Sequence, residues 1–223
     1  MADKIKKQDF VEVDYTGKLE DNTVFDTTDK KTAQDAGLPT EKAKFGPMII
    51  CVGERQLLPG LDDTLVDKEI NKEYEVNLSP ENAFGKRDVK KMKIVPMSMF
   101  KEHKVQPHPG LQIDVDGKMG TITRVAGGRI IVNFNHPLAG KTVVYTVKIN
   151  RIITDQKEKI ASFLNTAMKI GEDNIKTEIN EDKAEVTLPM LLPEQFTDAI
   201  GKKLAELVGL KEVNFKSKEV KKE

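Results

Sequence analysis

The chain has 223 residues, the length of one large domain or of two to three small ones. Its 36 Lys and Arg residues balance its 36 Asp and Glu residues, so no net field exists to gather nucleic acid or an anionic membrane. The longest apolar run, residues 48–52, is too short for a membrane span, the first residues form no hydrophobic signal core, and one cysteine excludes an internal disulfide or thiolate cluster. We therefore expect a cytoplasmic protein that binds neither nucleic acid nor membrane.

The first part of the chain is typical of an antiparallel sheet with one short helix. Alternating apolar side chains predict strands over residues 8–26, with a turn region beginning at Gly17, and over 72–78, and an apolar run predicts a strand over 45–52. The polar stretch 27–44 is either a long surface loop or a short helical excursion. An amphipathic helix against the sheet is predicted from four leucines at helical spacing: Leu57, Leu58, Leu61 and Leu65.

The middle of the chain is typical of a small β-rich module. Hairpin signals at residues 116–117 and 127–128 separate runs of strand alternation, and a helical turn is predicted after Pro96. Residues 141–153 then carry the strongest strand alternation in the chain, so the first module is interrupted and resumed.

The last part changes character. Helices are predicted over residues 157–169 and 193–208, a hairpin over 174–188 and a last strand over 213–215. The resulting α-β-β-α-β unit is near the lower size limit for an independent core, so partner packing or dimerisation would support it. The fold class predicted for the whole chain is α+β.

Five short motifs occur in one order along the chain: YTG at 15–17, VFD at 24–26, GERQLLPGL at 53–61, AFG at 83–85 and NHPLAGK at 135–141. Together they resemble the FKBP-type peptidyl-prolyl isomerases, and the match is to the SlyD-like and long archaeal branch with an "insert-in-flap" chaperone domain. The resemblance covers residues 1–153 and carries no diagnostic motif beyond them.

The resemblance implies a division of the chain into three domains. Residues 1–85 and 134–153 would form the FKBP-like isomerase domain, an antiparallel sheet wrapped on a short helix. Residues 86–133 would form the insert-in-flap chaperone domain, and residues 154–223 a C-terminal α+β domain. The implied activity is acceleration of proline-limited folding of unfolded or partly folded polypeptides, without a cofactor or metal.

An apolar pocket suits this activity on chemical grounds alone. Twisting an Xaa-Pro amide removes its charge separation and transfers no proton, so a pocket poor in water disfavours the planar states more than the twisted one. The resemblance implies catalytic roles for Tyr15, Asp26, Phe84 and Tyr145. It also implies substrate-binding roles for six further residues: Phe25, Met48, Leu57, Leu58, Leu61 and Ala83.

Within this set, Asp26 would accept a hydrogen bond from the Tyr15 hydroxyl and either orient the pocket or polarise the twisted carbonyl carbon. The Leu58 N–H would bind a substrate carbonyl. Leu61 stands on the pocket floor where the family's best-known members have tryptophan; the chain has none, so macrolide ligands should bind weakly. Local alternatives remain open. Asp26 could belong to an Asx turn, Met48 could be packing, and each tyrosine alone could be ordinary core. His136 is interpreted as a turn residue.

The insert contains more apolar residues, many of them methionine, than a small sheet can easily bury. They form either an exposed client-binding surface or a compact core with methionine as filler. Three functional hypotheses follow: a prolyl isomerase with chaperone activity, a non-catalytic holdase or assembly module, and a dimerisation protein acting through residues 154–223.

Overall fold

The structure, a computed structural model, describes residues 4–41 and 43–218 and divides into two compact units. The first unit comprises the described residues up to Leu78 and from Val143 onward, and the second is Ser79–Thr142. Antiparallel sheets and few helices make the fold α+β, as predicted. Neither unit contains, within its described residues, a helix with the length and apolar character needed to cross a membrane.

Twelve strands and five helices are present in the described chain. The strands are β1 Phe10–Leu19, β2 Val24–Thr27, β3 Met48–Cys51, β4 Glu73–Leu78, β5 Met92–Pro96, β6 Gln112–Val115, β7 Lys118–Ala126, β8 Arg129–Asn133, β9 Val143–Ile152, β10 Lys176–Asn180, β11 Lys183–Leu188 and β12 Glu212–Ser217. The helices are α1 Lys30–Asp35, α2 Pro59–Thr64, α3 Met97–Glu102, α4 Gln156–Met168 and α5 Glu194–Val208.

The main sheet of the first unit has the order β2-β1-β9-β4, and β3 pairs with β1 next to β2. All of its pairs are antiparallel. The strand alternation predicted from the sequence is confirmed, because its apolar members are buried: Val11, Val13, Val147 and Ile149. The last strand of this sheet in chain order, β9, lies between β1 and β4.

The predicted amphipathic helix is shorter than its leucine spacing indicates. Helix α2 begins at Pro59, and Leu58 is its N-cap. Proline is favoured in the first helical turn because its missing N–H would be unpaired there anyway, so the leucine pair at 57–58 precedes the helix. Only Leu61 and Leu65 are fully buried.

The polar stretch after β2 contains a short helix, the second of the two alternatives. The Asp29 side chain caps α1 by accepting the Thr32 N–H at 2.6 Å, and Ala33 on its inner face is buried.

The second unit is a four-stranded antiparallel sheet of order β5-β8-β7-β6 with α3 beside it. Its core consists of Phe100, Ile122, Ile130 and Val132. The chain segments at its two ends lie side by side. The Gly140 N–H donates to the Gly85 carbonyl at 2.8 Å, and the Asn135 side chain bonds both the N–H and the C=O of Asp88, at 2.8 and 2.9 Å.

The C-terminal residues form a second sheet of the first unit, with β10 antiparallel and β12 parallel to β11. Its core is built mainly from α4, α5 and β11 and includes Ile160, Leu164 and Leu204. A separate apolar cluster joins these helices to the main sheet, because Leu207 of α5 packs with Phe10, Cys51 and Ile153. Cys51 is buried packing, as predicted, and burial raises the pKa of its thiol to about 12.

Candidate functional site

Three aromatic rings from three neighbouring strands meet in the main sheet. The rings of Tyr15 on β1 and Tyr145 on β9 have centroids 5.8 Å apart and are tilted by 55°. Phe25 on β2 meets Tyr145 edge to face, at 5.7 Å and 80°. Such pairs contribute about 0.5–1.5 kcal/mol each beyond their buried area, which holds the rings in one geometry. Tyr145 is buried, whereas the rings of Tyr15 and Phe25 are half-buried and line an open cavity.

Gly17 makes the close approach of these rings possible. It lies opposite Tyr145 on β9 and Asp26 on β2. A Cβ at this position would lie 2.8 Å from the ring Cζ of both Phe25 and Tyr145. The predicted turn at Gly17 is therefore wrong, because β1 continues to Leu19. Glycine is needed at this position because a side chain would collide with the two rings. A glycine inside an alternating strand is the signal that could have shown this.

A β-bulge aims two successive residues of β2 at the same pocket. Gly17 pairs with Asp26 and Lys18 pairs with Val24, so Phe25 is the extra residue. On a regular strand neighbouring side chains point to opposite faces, whereas a bulge re-aims one of them. Phe25 and Asp26 consequently both reach the aromatic cluster.

Asp26 carries the negative charge at this cluster, and its carboxylate accepts hydrogen bonds from the hydroxyls of Tyr15 and Tyr145. Burial raises the pKa of Asp26, and hydrogen bonds from the Thr27 backbone and the two hydroxyls offset part of that rise. Burial, with the nearby Asp26 charge, raises the pKa of Tyr15 to about 12 and raises that of Tyr145 as well. Both phenols are therefore protonated donors at neutral pH.

Replacing Asp26 by asparagine should raise the free energy of unfolding near pH 7 relative to the unmodified protein. A carboxyl group with a raised folded-state pKa binds its proton more tightly when folded, so its contribution to stability is lost as pH rises through that pKa. Asparagine stays neutral and avoids this loss. Urea unfolding of both proteins, from about pH 3 to pH 7, measures a difference that should vanish in acid.

Asp29 supplies a control of opposite sign. It is exposed, and its hydrogen bonds to Thr32 lower its pKa, so Asp29→Asn should reduce stability near pH 7 and have less effect as pH falls. If the change in unfolding free energy has the same pH dependence in both variants, the raised pKa assigned to Asp26 is contradicted.

Side chains on both sides of the turn before α2 accept hydrogen bonds from backbone N–H groups. The fully buried Asp62 carboxylate accepts the backbone N–H groups of Gly53 at 2.9 Å and Arg55 at 3.0 Å. The Gln56 Oε1 accepts the backbone N–H of Cys51 on β3 at 2.7 Å. These bonds fix the backbone that leads into α2, including the two half-buried leucines at its start. Neither Gln56 nor Asp62 was identified from the sequence as a positioning residue.

The remaining predicted residues of the first unit occupy different surroundings. Met48 pairs with Val13 across β3 and β1 and lines the same cavity as Tyr15, Phe25 and Asp26. Leu61 is almost completely buried on the inner face of α2. No three His, Cys, Asp or Glu side chains within residues 4–41 and 43–218 are grouped as metal ligands would be.

Ala83 and Phe84 belong to the second unit. Both are half-buried, and the Phe84 ring stacks on the imidazole of His136 with centroids 4.6 Å apart and an interplanar angle of 1°. The His136 Nδ1 also accepts the Leu138 N–H at 3.2 Å, so this histidine supports both the turn and the Phe84 ring. The stacking contact was missed from the sequence, where His136 is only a turn residue.

The second unit combines a packed core with exposed apolar side chains. Val89, Ile94 and Met119 are 79%, 63% and 60% exposed, and Met99 is also exposed. The insert therefore has features of both alternatives: a core with Met97 packed against it and a set of large apolar side chains in contact with water.

Comparisons with known proteins agree on one family. Residues 93–138 match the family model described as FKBP26, IF domain. A short-type peptidyl-prolyl cis-trans isomerase of Methanocaldococcus jannaschii is 29% identical over 158 residues, which is 71% of this chain and 100% of that protein. The FKBP-type isomerase SlyD of Treponema pallidum is 26% identical, covering 72% and 85% of the two chains. A probable FKBP-type 16 kDa isomerase of Pseudomonas fluorescens is 30% identical, covering 46% and 71%.

Proposed function

Since this chain belongs to the FKBP-type peptidyl-prolyl cis-trans isomerases, we propose that Tyr15, Phe25, Asp26 and Tyr145 form the pocket in which it rotates Xaa-Pro bonds of client polypeptides. The protein is an isomerase with a chaperone role, as its SlyD-named relatives indicate. The observation that carries the assignment of the pocket is the trio of aromatic rings around Gly17 with a carboxylate bonded by two phenols.

The geometry fits a reaction without proton transfer. The amide rotation barrier is about 18–20 kcal/mol, and every ~1.4 kcal/mol of selective binding to the twisted amide gives a tenfold faster rate. Rings that exclude water disfavour the charge-separated planar amide. Because the Tyr15 and Tyr145 hydroxyls donate to Asp26, the carboxylate locks the rings in place and acts neither as acid nor as base.

Further residues complete the proposed pocket. The Leu58 N–H would donate to a carbonyl of the bound segment, with Leu57 and Met48 as apolar walls and Leu61 as the floor. For Ala83 and Phe84 we keep the substrate-binding and catalytic roles that the family motif implies, and the stacked His136 limits the rotation of the Phe84 ring. The non-catalytic holdase alternative is not favoured, because the named relatives are isomerases.

We assign residues 86–133 to client capture, within a three-domain chain of 1–85 plus 134–153, 86–133 and 154–223. Exposed, flexible methionines and isoleucine suit weak binding to irregular apolar partners. A second binding surface on the same chain raises the local concentration of client segments at the pocket. Capture would therefore speed the isomerisation of unfolded proteins more than that of short peptides.

The double variant Ile94→Gln/Met119→Gln should keep its activity on a proline tetrapeptide and lose several-fold in the proline-limited refolding of a model protein. Both side chains are exposed, so the fold should tolerate the change. A protease-coupled peptide assay and refolding fluorescence measure the two activities in the full chain.

Lys93→Gln/Lys118→Gln is the matched control, because these exposed neighbours end in a charged amine and not in an apolar group. Equal refolding rates for all three proteins would refute client capture by the insert. If the unmodified protein leaves the slow refolding phase unchanged, the assignment of isomerase activity itself fails.

Three finer properties belong to the same proposal. We expect a cytoplasmic location for the protein. We also expect weak macrolide binding, because Leu61 stands where a tryptophan would form the pocket floor. Homodimerisation through residues 154–223 is supported by the exposure of Met190, Leu191 and Phe196, which are 51%, 84% and 45% accessible. Sedimentation of the full chain tests the dimer.

A further inference from the structure

The proposed pocket opens into a larger cavity of about 1160 Å³ that reaches the C-terminal helices. Tyr15, Asp26 and Met48 line it from the main sheet, and Asn165 of α4 and Lys169, the C-cap of that helix, line it from the C-terminal residues. Pockets that enclose a whole drug-sized ligand have about 300–1,000 Å³. A prolyl residue would therefore fill only a small part of this space, and the rest is available to the polypeptide on either side of it.

Helix α4 lines this cavity, and two contacts attach it to the rest of the first unit. Its Phe163 packs against the apolar cluster that joins α5 to β1 and β3. On the surface, the Arg151 guanidinium of β9 bonds Glu12 of β1 at 2.9 Å and Glu158 of α4 at 2.6 Å. A buried apolar joint together with a two-carboxylate arginine contact holds the helix at one distance from the main sheet, so the cavity is a built feature of the first unit.

Among the strands of the described residues, β3 pairs only with β1, so its other edge is open to main-chain hydrogen bonds at some positions. The Val52 N–H donates to the Asp9 carbonyl at 2.9 Å, so at this position the strand's polar groups face β1. The Cys51 N–H points the other way, to the Gln56 side chain. In an antiparallel pair these directions alternate, so Ile49, two residues before Cys51, presents its N–H and C=O to the outer edge. Ile49 lines the cavity.

A strand edge that pairs with no other strand of the described residues can bind extended polypeptide. Main-chain bonds of this kind give affinity without regard to sequence, and the side chains along the groove then select among segments. The part lined by the C-terminal residues is polar and carries both signs of charge, since Lys169, Glu172 and Asp173 all line it. Such a lining suits hydrated, unfolded chain better than a compact apolar ligand.

We propose that this cavity binds the residues of a client polypeptide next to its prolyl bond, in extended form along Ile49 of β3 and against the polar face of α4. The inference rests on the proposed position of the prolyl pocket. It gives the C-terminal residues a direct role in substrate binding. Binding energy from residues remote from the reacting bond can be used to favour the twisted state, so extended substrates should turn over with higher kcat/KM than short ones.

Thr166→Trp tests the proposal, because Thr166 is half-buried on α4 and lines the cavity away from the aromatic cluster. The substrates are a proline tetrapeptide and two longer peptides with the same core, one extended before and one after the proline. For at least one extended peptide, kcat/KM should fall about tenfold while the tetrapeptide value stays within about twofold. Ala167→Trp, the next and exposed residue of α4, is the matched control and should change neither.

Equal loss on all three peptides, or no loss on any, overturns the proposal. So does an unmodified protein that treats short and extended peptides alike. These outcomes differ from a failure of the isomerase assignment, in which the unmodified protein is inactive on every peptide.

Discussion

A Gly17→Val variant should lose at least about tenfold in kcat/KM toward a proline tetrapeptide, equivalent to ~1.4 kcal/mol of transition-state binding. The new Cβ would lie 2.8 Å from the ring Cζ of both Phe25 and Tyr145, so one or both rings must move. Such overpacking costs about 1–3 kcal/mol, and a displacement of ~1 Å in a binding group can lower a rate far more than it lowers stability. A peptide isomerase assay and urea unfolding measure the two effects.

Lys18→Val is the control for this change, because it places the same side chain on the next residue of β1, facing the other side of the sheet. Gly17→Ala should give a smaller loss in the same direction. Full activity in a folded Gly17→Val protein would show that the aromatic cluster is not the site of the reaction.

Asp62→Ala should lower the free energy of unfolding by about 3–6 kcal/mol, because it removes two hydrogen bonds to a charged group, each worth about 1.5–3 kcal/mol. The carboxylate is fully buried and accepts two backbone N–H groups, from Gly53 and Arg55. Arg55 has a left-handed φ of 57°, and so the turn is costly to hold without these bonds. The leucines that follow the turn should lose their position, and activity should fall with stability.

Asp63→Ala is the neighbouring control. Asp63 forms an exposed ion pair with Arg55 at 3.1 Å, which should contribute less than about 1 kcal/mol. Asp62→Asn retains one acceptor oxygen and should be intermediate. An Asp62→Ala protein with the stability of the Asp63→Ala protein would contradict the role of the buried carboxylate.

Periodicity was a sufficient guide wherever one face of an element is buried. The strands around Val13 and Val147 follow a period of two because alternate side chains enter the core. Helices α4 and α5 were predicted from apolar residues at helical spacing, because one face of each helix is buried. The five motifs placed the chain in its family, and the comparisons confirm that placement.

Local patterns could not show features that depend on two distant segments. The bulge at Phe25 exists only because β2 pairs with β1, and the use of Gly17 depends on a ring that is more than a hundred residues away in β9. The buried Asp62 looks like an ordinary charged residue of a short helix until the turn folds back onto it. The helix start at Pro59, by contrast, could have been predicted from proline geometry alone.

The hydrogen bond between Gly140 and Gly85, near the two ends of the second unit, favours a folding order in which the insert folds first. Strands β4 and β9 pair with each other although the whole insert separates them, and closing so long a loop costs entropy. Because the Gly140 N–H bonds the Gly85 carbonyl, an insert that folds first brings the two strand ends together and makes the distant pair as local as a hairpin. During synthesis the insert emerges before β9, so the ribosome delivers the segments in the order that makes this route accessible.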